Sequence, residues 1–329
     1  MDNGRDKMWR ALPFVMAMLL TTLIPLSASA LFWNKKAEEA GAPGAPIAQD
    51  MEIRTYRGVP YTGTLKASGD GKLTFAIVEA PQKGALELGE EGVFVYTPGK
   101  NKAGGDSFSY TASDENGGVS APATVKIRIA RVSSGVSYAD TGNESCATAA
   151  VDLAEHGVFV GAKVGGDWFF EPERTVTRGE FVSMAMAAAG LKPSDVTVTG
   201  FCDDEQIPVW AKGCAAGALA AGVVYGSPSE EGMAFRAGSD VTLSEAATVL
   251  NRILKVTDVQ PADFGEERPA WCAQAVANLE SVSIAPVGGF GGEALSRALT
   301  RGEAAELLSA AMTLAEARAA NEGLLSRIF

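Results

Sequence analysis

Hydrophobic and polar positions change their spacing along this chain of 329 residues, and the change predicts two kinds of structure. In the segment 47–132, short apolar runs are separated by clusters of Gly, Asp, Asn and Pro, a pattern typical of strands joined by turns. Its clearest run alternates Val125, Ile127 and Ile129 with polar residues, as a half-buried strand does. The predicted strands are 73–78, 92–96, 107–112 and 123–130. Short strands with frequent turns predict a small β-sandwich.

The rest of the chain is Ala-rich with helical spacing, and within it one four-residue motif occurs three times. The copies are Thr177-Arg178-Gly179-Glu180, Thr242-Leu243-Ser244-Glu245 and Thr300-Arg301-Gly302-Glu303. Each places Thr three residues before Glu at the start of an apolar helical pattern, which is the signature of a capping box. The sequence therefore predicts three helix starts, with the capping residues Thr177, Glu180, Thr242, Glu245, Thr300 and Glu303.

The arginines of two copies, Arg178 and Arg301, have no such structural explanation. Each is predicted at the first helical position, where the positive end of the helix dipole disfavours a cation. A guanidinium beside free helix amides suits an anion. The alternative is a solvated arginine or an ion pair with a neighbouring repeat.

Other features recur upstream of each motif. Gly157 and Gly161 have counterparts in the second unit, where a helix is again expected to end in glycine before a turn. Trp210 and Trp271 stand at the start of the first helix of the second and third units. Either they pack in the core, or they stack on a sugar ring.

The first 30 residues have the composition of an export signal. Basic residues precede an apolar run, Ala11–Ile24, and Ala28-Ser29-Ala30 fits a cleavage site. The run is shorter than the ~20 residues that a membrane span needs. We predict a signal peptide over 1–30, a flexible linker over 31–46 and an exported, cell-wall or cell-surface location. An uncleaved membrane anchor is the alternative.

The helical units resemble S-layer homology (SLH) domains, which usually occur in threes. The carriers are, in the first unit, Tyr138, Asp140, Gly157, Val158, Gly161, Phe170, Pro172 and the motif at 177–180; in the second, Phe201, Asp203, Trp210, Gly222, Val223, Gly226, Phe235, Thr242 and Glu245; in the third, Trp271 and the motif at 300–303. The third opening is degenerate, with Asp263 as its counterpart. The repeats would span 137–195, 199–256 and 259–315, with a helical tail over 316–329. The resemblance implies an all-α trimer of repeats in a pseudo-threefold arrangement.

The segment 47–132 resembles bacterial Ig-like and cadherin-like domains. The carriers are Tyr96-Thr97-Pro98, Gly105–Thr111 and Ser113–Gly118. This likeness implies a spacer or an adhesion role rather than a chemistry. Asp114–Gly117 has two interpretations: a calcium site, as in cadherin-like domains, or a hairpin turn, which explains the same residues.

The SLH resemblance also implies binding of a secondary cell-wall polysaccharide, commonly pyruvylated, in grooves between repeats. On matching positions it nominates Arg178 and Arg301, with Asp140 and Asp203 as polar partners. Trp210 and Trp271 are candidates for stacking. Departures from the family pattern reduce the expected number of competent grooves to one or two. Leu243 replaces the arginine of the second copy, and Ser145-Cys146 stands where the first unit would carry its tryptophan. In the third unit Ser283 stands in the place of a glycine, and the opening motif is weak.

Composition excludes several other functions. The net charge of −12 disfavours nucleic acid as a partner. The only histidine, His156, lies before a helix-ending glycine, and no nucleophile–base or metal constellation occurs, so we predict neither an enzyme nor a cofactor.

Export would permit disulfides. The pairings Cys202–Cys214 and Cys146–Cys272 are one interpretation of the four cysteines, and thiols are the other.

The function expected is non-catalytic anchoring to the cell wall, with display of the Ig-like domain. The alternative is an adhesin whose Ig-like domain binds a host or neighbouring-cell ligand, the repeats serving only as its mount.

Overall fold

A computed structural model describes residues 44–257, 269–284 and 295–328. The predicted signal peptide, most of the linker that follows it, and Asp263 lie outside these residues.

Two sheets form a β-sandwich in the N-terminal part. The four-stranded sheet has the order β2-β9-β8-β5, and the three-stranded sheet has the order β3-β7-β6. Their bounds are β2 Met51–Tyr56, β3 Tyr61–Thr64, β5 Thr74–Glu79, β6 Gly84–Leu88, β7 Val93–Pro98, β8 Gly104–Ser113 and β9 Ala123–Ala130, with β1 Ile47–Ala48 paired to β4 Ala67–Ser68. Within these two sheets the strands β2 and β9 run parallel, and the other paired strands run antiparallel. Phe94, Tyr96, Phe108 and Tyr110 fill the core between the sheets.

The predicted strands are present, and the pattern of β9 is confirmed, since Val125, Ile127 and Ile129 are buried. Strands β2, β3 and β6 were not predicted. In β2 Met51 and Ile53 alternate with two charged residues, but the next inward position is the polar Thr55, which is fully buried beside Tyr56, so the apolar alternation covers only four residues.

The C-terminal part contains six α-helices in the described residues. They are α1 Ala147–Glu155, α2 Arg178–Ala188, α3 Val209–Ala220, α4 Leu243–Leu254, α5 Ala270–Ser281 and α6 Arg301–Ile328. The expectation of an all-α part is wrong in one respect, because two hairpins occur. The first joins β10 Ala162–Val164 to β11 Asp167–Phe169, and the second joins β12 Ser227–Ser229 to β13 Gly232–Ala234. Gly165 and Gly166, both with positive φ, make the first turn. Helix α6 runs unbroken into the predicted tail.

The three recurring motifs each begin a helix with a capping box. The backbone N–H groups of Thr177, Thr242 and Thr300 donate to the glutamates at 2.9, 3.0 and 2.9 Å. In return each threonine hydroxyl accepts from its glutamate amide at 3.3 Å. Two otherwise unpaired amides are thereby satisfied at every helix start.

The segments before these three helices form a closed ring of backbone hydrogen bonds. Val176 N–H donates to the carbonyl of Leu299, Leu299 N–H to Val241, and Val241 N–H to Val176, at 3.0, 2.9 and 2.9 Å. Each unit therefore contacts the other two, and the helix starts α2, α4 and α6 are brought around one centre.

The β-sandwich is joined to the helical part by a buried polar cluster at Asp152 of α1. Tyr56 Oη donates to Asp152 Oδ1 at 2.5 Å, and Ser309 Oγ of α6 donates to Oδ2 at 2.8 Å. Asp152 and Tyr56 are 4% and 1% exposed, and burial raises the pKa of Tyr56. Because such groups are costly to leave unpaired, this contact fixes the sandwich on α1.

Hydrogen bonds to α1 also hold residues 131–136, which connect the sandwich to the helical part. Glu155 accepts from the Ser133 hydroxyl and from the amides of Ser133 and Ser134. Although burial opposes it, the bonds from these two serines lower the pKa of Glu155 to about 2. Elsewhere the first helix of a unit is covered by the preceding linker. Gly217 of α3 packs on Lys192, and Asn278 of α5 donates to the Val256 carbonyl at 2.6 Å. The sandwich takes this covering place for α1.

Candidate functional site

A cavity of about 340 Å³ lies where the three units meet beside the start of α6. Its lining combines Arg301 from the third unit, Trp210 from the second, and apolar and polar residues of the first. The residues are Val158, Phe159, Val176, Glu180, Ser183, Met184, Trp210 and Arg301. The cavity is therefore not the property of any one repeat.

Arg301 is held in place within this cavity. Its guanidinium lies 4.9 Å from the ring centroid of Phe159, and Nη1 donates to the Phe170 carbonyl at 2.5 Å and to Glu171 Oε2 at 3.1 Å. The residue is only 5% exposed. Both of its side-chain hydrogen bonds within the described residues come from Nη1, which leaves Nε and Nη2 for another acceptor.

Ser183 adds a second polar group to the lining. Its Oγ is buried and has no hydrogen-bond partner among the described residues. Glu180, by contrast, is used on both oxygens, by the Thr177 amide at 2.9 Å and by Arg174 Nη2 at 2.8 Å. Because buried hydroxyls are normally paired, the Ser183 hydroxyl is a group that a ligand in the cavity could satisfy.

Trp210 forms an exposed aromatic wall. It stands at the second residue of α3 and is 58% exposed, while Trp271, in the matching place on α5, is 60% exposed. The interpretation of these side chains as core residues is therefore wrong. An exposed indole beside a guanidinium and a free hydroxyl can stack on a sugar ring and bind an acidic substituent.

Arg178 is placed differently from Arg301. It is 9% exposed, its Nη1 lies 3.0 Å from Glu245 Oε1, and its buried Nε has no hydrogen-bond partner in the part of the chain that the structure describes. Its guanidinium lies 5.7 Å from the Phe235 ring centroid. An ion pair between repeats, the alternative left open by the sequence, is thus present at both arginines.

Asp140 and Asp203 do not line the cavity beside Arg301. Asp140 accepts from the amides of Phe170 and Glu171 at 2.9 and 2.6 Å, and Asp203 accepts from the two equivalent amides, both at 2.7 Å. Glu171 has φ of 56°, so its backbone is in the left-handed region. Each carboxylate therefore holds a turn that contains a residue with positive φ, Glu171 or Arg236, and its expected role as a polar partner of a glycan stays a prediction.

The second copy of the motif has leucine where the other two copies have an arginine, so its helix start offers no guanidinium. Leu243 is 7% exposed at the start of α4, as expected for a repeat without its arginine. On α6, Glu306 stands six residues after Thr300, as Ser183 stands six residues after Thr177 on α2. Burial raises the pKa of Glu306, which is bonded to Ser145. A leucine in the place of the arginine, with an acidic group in the place of Ser183, does not suit an anionic ligand.

All four cysteines lie in the described residues, and none of them forms a disulfide. Neither predicted pairing is present. Cys146 is buried, which raises its pKa to about 12, whereas Cys202 is exposed with its Sγ 3.2 Å from Ser229 Oγ. Of the two interpretations of the cysteines, the structure has the thiols.

Two other candidates from the sequence have structural roles. His156 Nδ1 lies 2.8 Å from the Asp152 carbonyl at the end of α1, and Nε2 lies 3.3 Å from Glu316. Asp114 Oδ1 accepts from the amides of Asn116 and Gly118, both at 2.8 Å, which forms the hairpin turn.

Within the described ranges, no group of three or more His, Cys, Asp or Glu could hold a metal ion. No helix in those ranges has the length and apolarity of a membrane span.

Phe159 and Ser183 were not predicted as lining residues. Phe159 lies between the two glycines of the first unit, and Ser183 is six residues after Thr177. Both residues stand at fixed distances from the recurring motifs. That spacing would have identified them if the contact between units had been known.

Residues 43–128 match the family model of a bacterial Ig domain, so the N-terminal β-sandwich is a bacterial Ig-like domain. No SLH model matches the helical part. Comparison with curated protein sequences gives no match.

Several solved structures share limited similarity with the chain. The endo-fucoidan hydrolase MfFcnA4 of glycoside hydrolase family 107 is 18% identical with a TM-score of 0.24, over 30% of this chain and 15% of the hydrolase. Human protocadherin-24 EC1-2 is 14% identical with a TM-score of 0.21, over 26% and 52% of the two chains. The fibronectin(III)-like modules of Clostridium thermocellum CbhA are 15% identical with a TM-score of 0.17, over 26% and 98%. At these TM-scores none of the three bears on the activity of this chain.

Proposed function

We propose that this chain is an exported, non-catalytic cell-surface protein that binds an acidic wall polysaccharide in the cavity beside Arg301. The observation that carries the proposal is the convergence of a guanidinium, an unpaired hydroxyl and an exposed indole from three units on one cavity. The Ig-like domain, docked on α1, would be displayed at the wall by this anchor.

The organisation of the helical part supports an SLH trimer. Three capping boxes begin α2, α4 and α6, and the closed ring of hydrogen bonds joins the segments before them. Such a ring is what a pseudo-threefold arrangement of three repeats requires. The Thr-Arg-Gly-Glu motif, which carries the SLH resemblance, lies at the contact between units.

The chemistry of the cavity favours a pyruvylated sugar. A pyruvate ketal presents a carboxylate on an otherwise apolar ring face. The free edge of the Arg301 guanidinium can bind that carboxylate through charge-assisted hydrogen bonds, and Trp210 can stack on the ring. Glu180 is already paired with Arg174, which reduces its repulsion of an incoming anion.

The direct test is sedimentation of residues 31–329 with purified wall sacculi. We expect retention on intact sacculi and its loss after acid removal of the polysaccharide. Trp210→Ala should weaken retention about tenfold or more, which corresponds to ~1.4 kcal/mol of stacking. Val209→Ala is the matched control, because Val209 is 88% exposed on the adjacent residue of α3 and outside the cavity. Equal retention on stripped sacculi, or equal loss in both variants, would contradict the proposal.

Adhesion by the Ig-like domain is the second candidate, and the family match at 43–128 favours it. The domain would then bind a host or neighbouring-cell ligand, with the repeats as its mount. Binding of the Trp210→Ala chain to whole cells that lack the wall polymer distinguishes the two: adhesion predicts binding, and wall anchoring predicts none.

A further inference from the structure

The two ends of the β-sandwich carry opposite charge. Strands β2, β5, β7 and β9 finish at one end, where β3, β6 and β8 begin. The segments at this end are 57–60, 80–83, 99–103 and 131, and they contain basic side chains and no acidic one. We call the five basic residues of these segments the basic end: Arg57, Lys83, Lys100, Lys102 and Arg131.

Contacts between the loops bring the basic end together. The N–H of Arg57 donates to the carbonyl of the last residue of β9 at 3.0 Å, beside the segment that begins with Arg131. The glycine after Arg57 lies against Lys100. The glycine before Lys100 donates its N–H to the Lys83 carbonyl at 2.9 Å, and Lys83 Nζ donates to the Ala103 carbonyl at 3.3 Å. The five residues therefore belong to one set of touching loops.

The basic end remains accessible with the helical part docked on the same sandwich. Its members Lys100, Lys102 and Arg131 are exposed. The acids that border this end are fewer than its basic residues: Glu79, Asp106 and, from α1, Glu155. On a chain with a net charge of −12, the basic end is therefore a region of local positive potential.

The opposite end of the sandwich is acidic. Its segments, 49–50, 65–73, 89–92 and 113–119, contain six acids and two lysines: Asp50, Asp70, Glu90, Glu91, Asp114, Glu115, Lys66 and Lys72. These loops also touch, since Leu65 N–H donates to the Gly92 carbonyl at 2.9 Å and Gly71 lies against Glu115. We call the six acids the acidic end, of which Asp70, Glu90, Glu91 and Glu115 are exposed.

The two ends are far enough apart to act as separate surfaces. Strand β9 has 8 residues and runs from the acidic end to the basic end, so about 26 Å separate the two charges. This distance exceeds the ~10 Å over which exposed charges interact at moderate salt. The sandwich therefore presents a positive and a negative surface that cannot neutralise each other within one copy.

We infer that the basic end of one copy of this chain binds the acidic end of a second copy, head to tail. One domain carries both surfaces, so a second copy supplies the complementary charge, whereas like ends repel each other. Because the contact joins different surfaces of the two partners, it continues into open chains of copies unless the rotation between them closes a ring. The inference is independent of wall binding, since neither end lines the cavity beside Arg301.

Sedimentation equilibrium of residues 31–329 at several protein concentrations tests the inference. At about 0.02 M salt we expect the average mass to rise with protein concentration, and at about 0.3 M salt we expect association about tenfold weaker or more, because exposed charges are screened. Lys100→Glu with Lys102→Glu, or Glu90→Lys with Glu91→Lys, should weaken it to a similar degree. The matched control, Lys126→Glu with Lys163→Glu, makes the same change of charge at exposed positions outside both ends and should leave the association in place.

Mixing the two end variants separates a specific contact from a general effect of charge. Each variant alone lacks one of the two complementary ends and should stay monomeric. The intact acidic end of one variant complements the intact basic end of the other, so the mixture should associate. Circular dichroism checks that both variants fold.

Two results would overturn the inference: a wild-type chain that stays monomeric at low salt, or a mixture of the end variants that stays monomeric. If the wild-type chain is monomeric and Lys100→Glu with Lys102→Glu releases it from wall sacculi, the basic end binds the acidic polymer and not a second copy.

Discussion

The two junctions that contain Arg178 and Arg301 begin with the same four residues and end in different environments. Both have Thr-Arg-Gly-Glu, the same capping box and an arginine at the first helical position. Arg301 pairs with Glu171 and lines a cavity with an exposed indole, whereas Arg178 pairs with Glu245 and lies against the Phe235 ring. The motif thus determines how a helix begins, and the neighbouring unit determines what its arginine can bind.

We expect the largest difference between the two junctions in the free energy of unfolding when each arginine is replaced by leucine, the residue at position 243 in the second copy. Arg301→Leu should lower the free energy of unfolding by about 2 kcal/mol, because the buried Phe170 carbonyl loses its donor. Arg178→Leu should lower it by less than about 1 kcal/mol, because Arg178 is buried and its Nε has no hydrogen-bond partner among the described residues. Urea unfolding measures both. Equal losses would show that the two junctions are energetically alike.

The capping residues should behave identically at the two junctions. Thr177→Ala and Thr300→Ala should each lower the free energy of unfolding by about 1 kcal/mol, because both hydroxyls accept an amide at 3.3 Å. Thr→Ser at the same positions keeps the acceptor and serves as the control. A clear difference between the two alanine variants would contradict a purely local role for the motif.

The smallest expected effect is the loss of stability at low pH that comes from Glu303. The hydrogen bond from Arg297, with the Thr300 amide and against some desolvation, lowers the pKa of Glu303 below 4.5. A group with a depressed pKa stabilises the fold above its ordinary pKa, and that contribution is lost as the pH falls through its folded value. We expect a loss below about 1 kcal/mol at the α6 start, since the pair is partly exposed. Unfolding of Glu303→Gln should lack this part of the pH dependence; an unchanged profile would refute the assignment.

Features set by local sequence could be predicted. The capping boxes need only Thr and Glu three residues apart, and the alternation of β9 follows from one buried face. The resemblance to Ig-like domains rested on turn residues such as Asp114, whose carboxylate makes the turn by itself.

Features set by contacts between units could not be predicted. Asp140 binds amides 30 and 31 residues away, so its role depends on a hairpin that the helical pattern did not show. Asp152 reads as a polar helix position, yet it is buried under Tyr56 of the sandwich. The cavity needs Trp210, Ser183 and Arg301 from three separate units, and no single repeat contains that information.

A crystal structure of residues 31–329 soaked with a pyruvylated wall-sugar fragment tests the glycan cavity most directly. We predict a carboxylate at about 2.7–2.9 Å from the Arg301 guanidinium, with the sugar ring against Trp210. A fragment bound elsewhere on the chain, with the cavity beside Arg301 unchanged, would contradict the account.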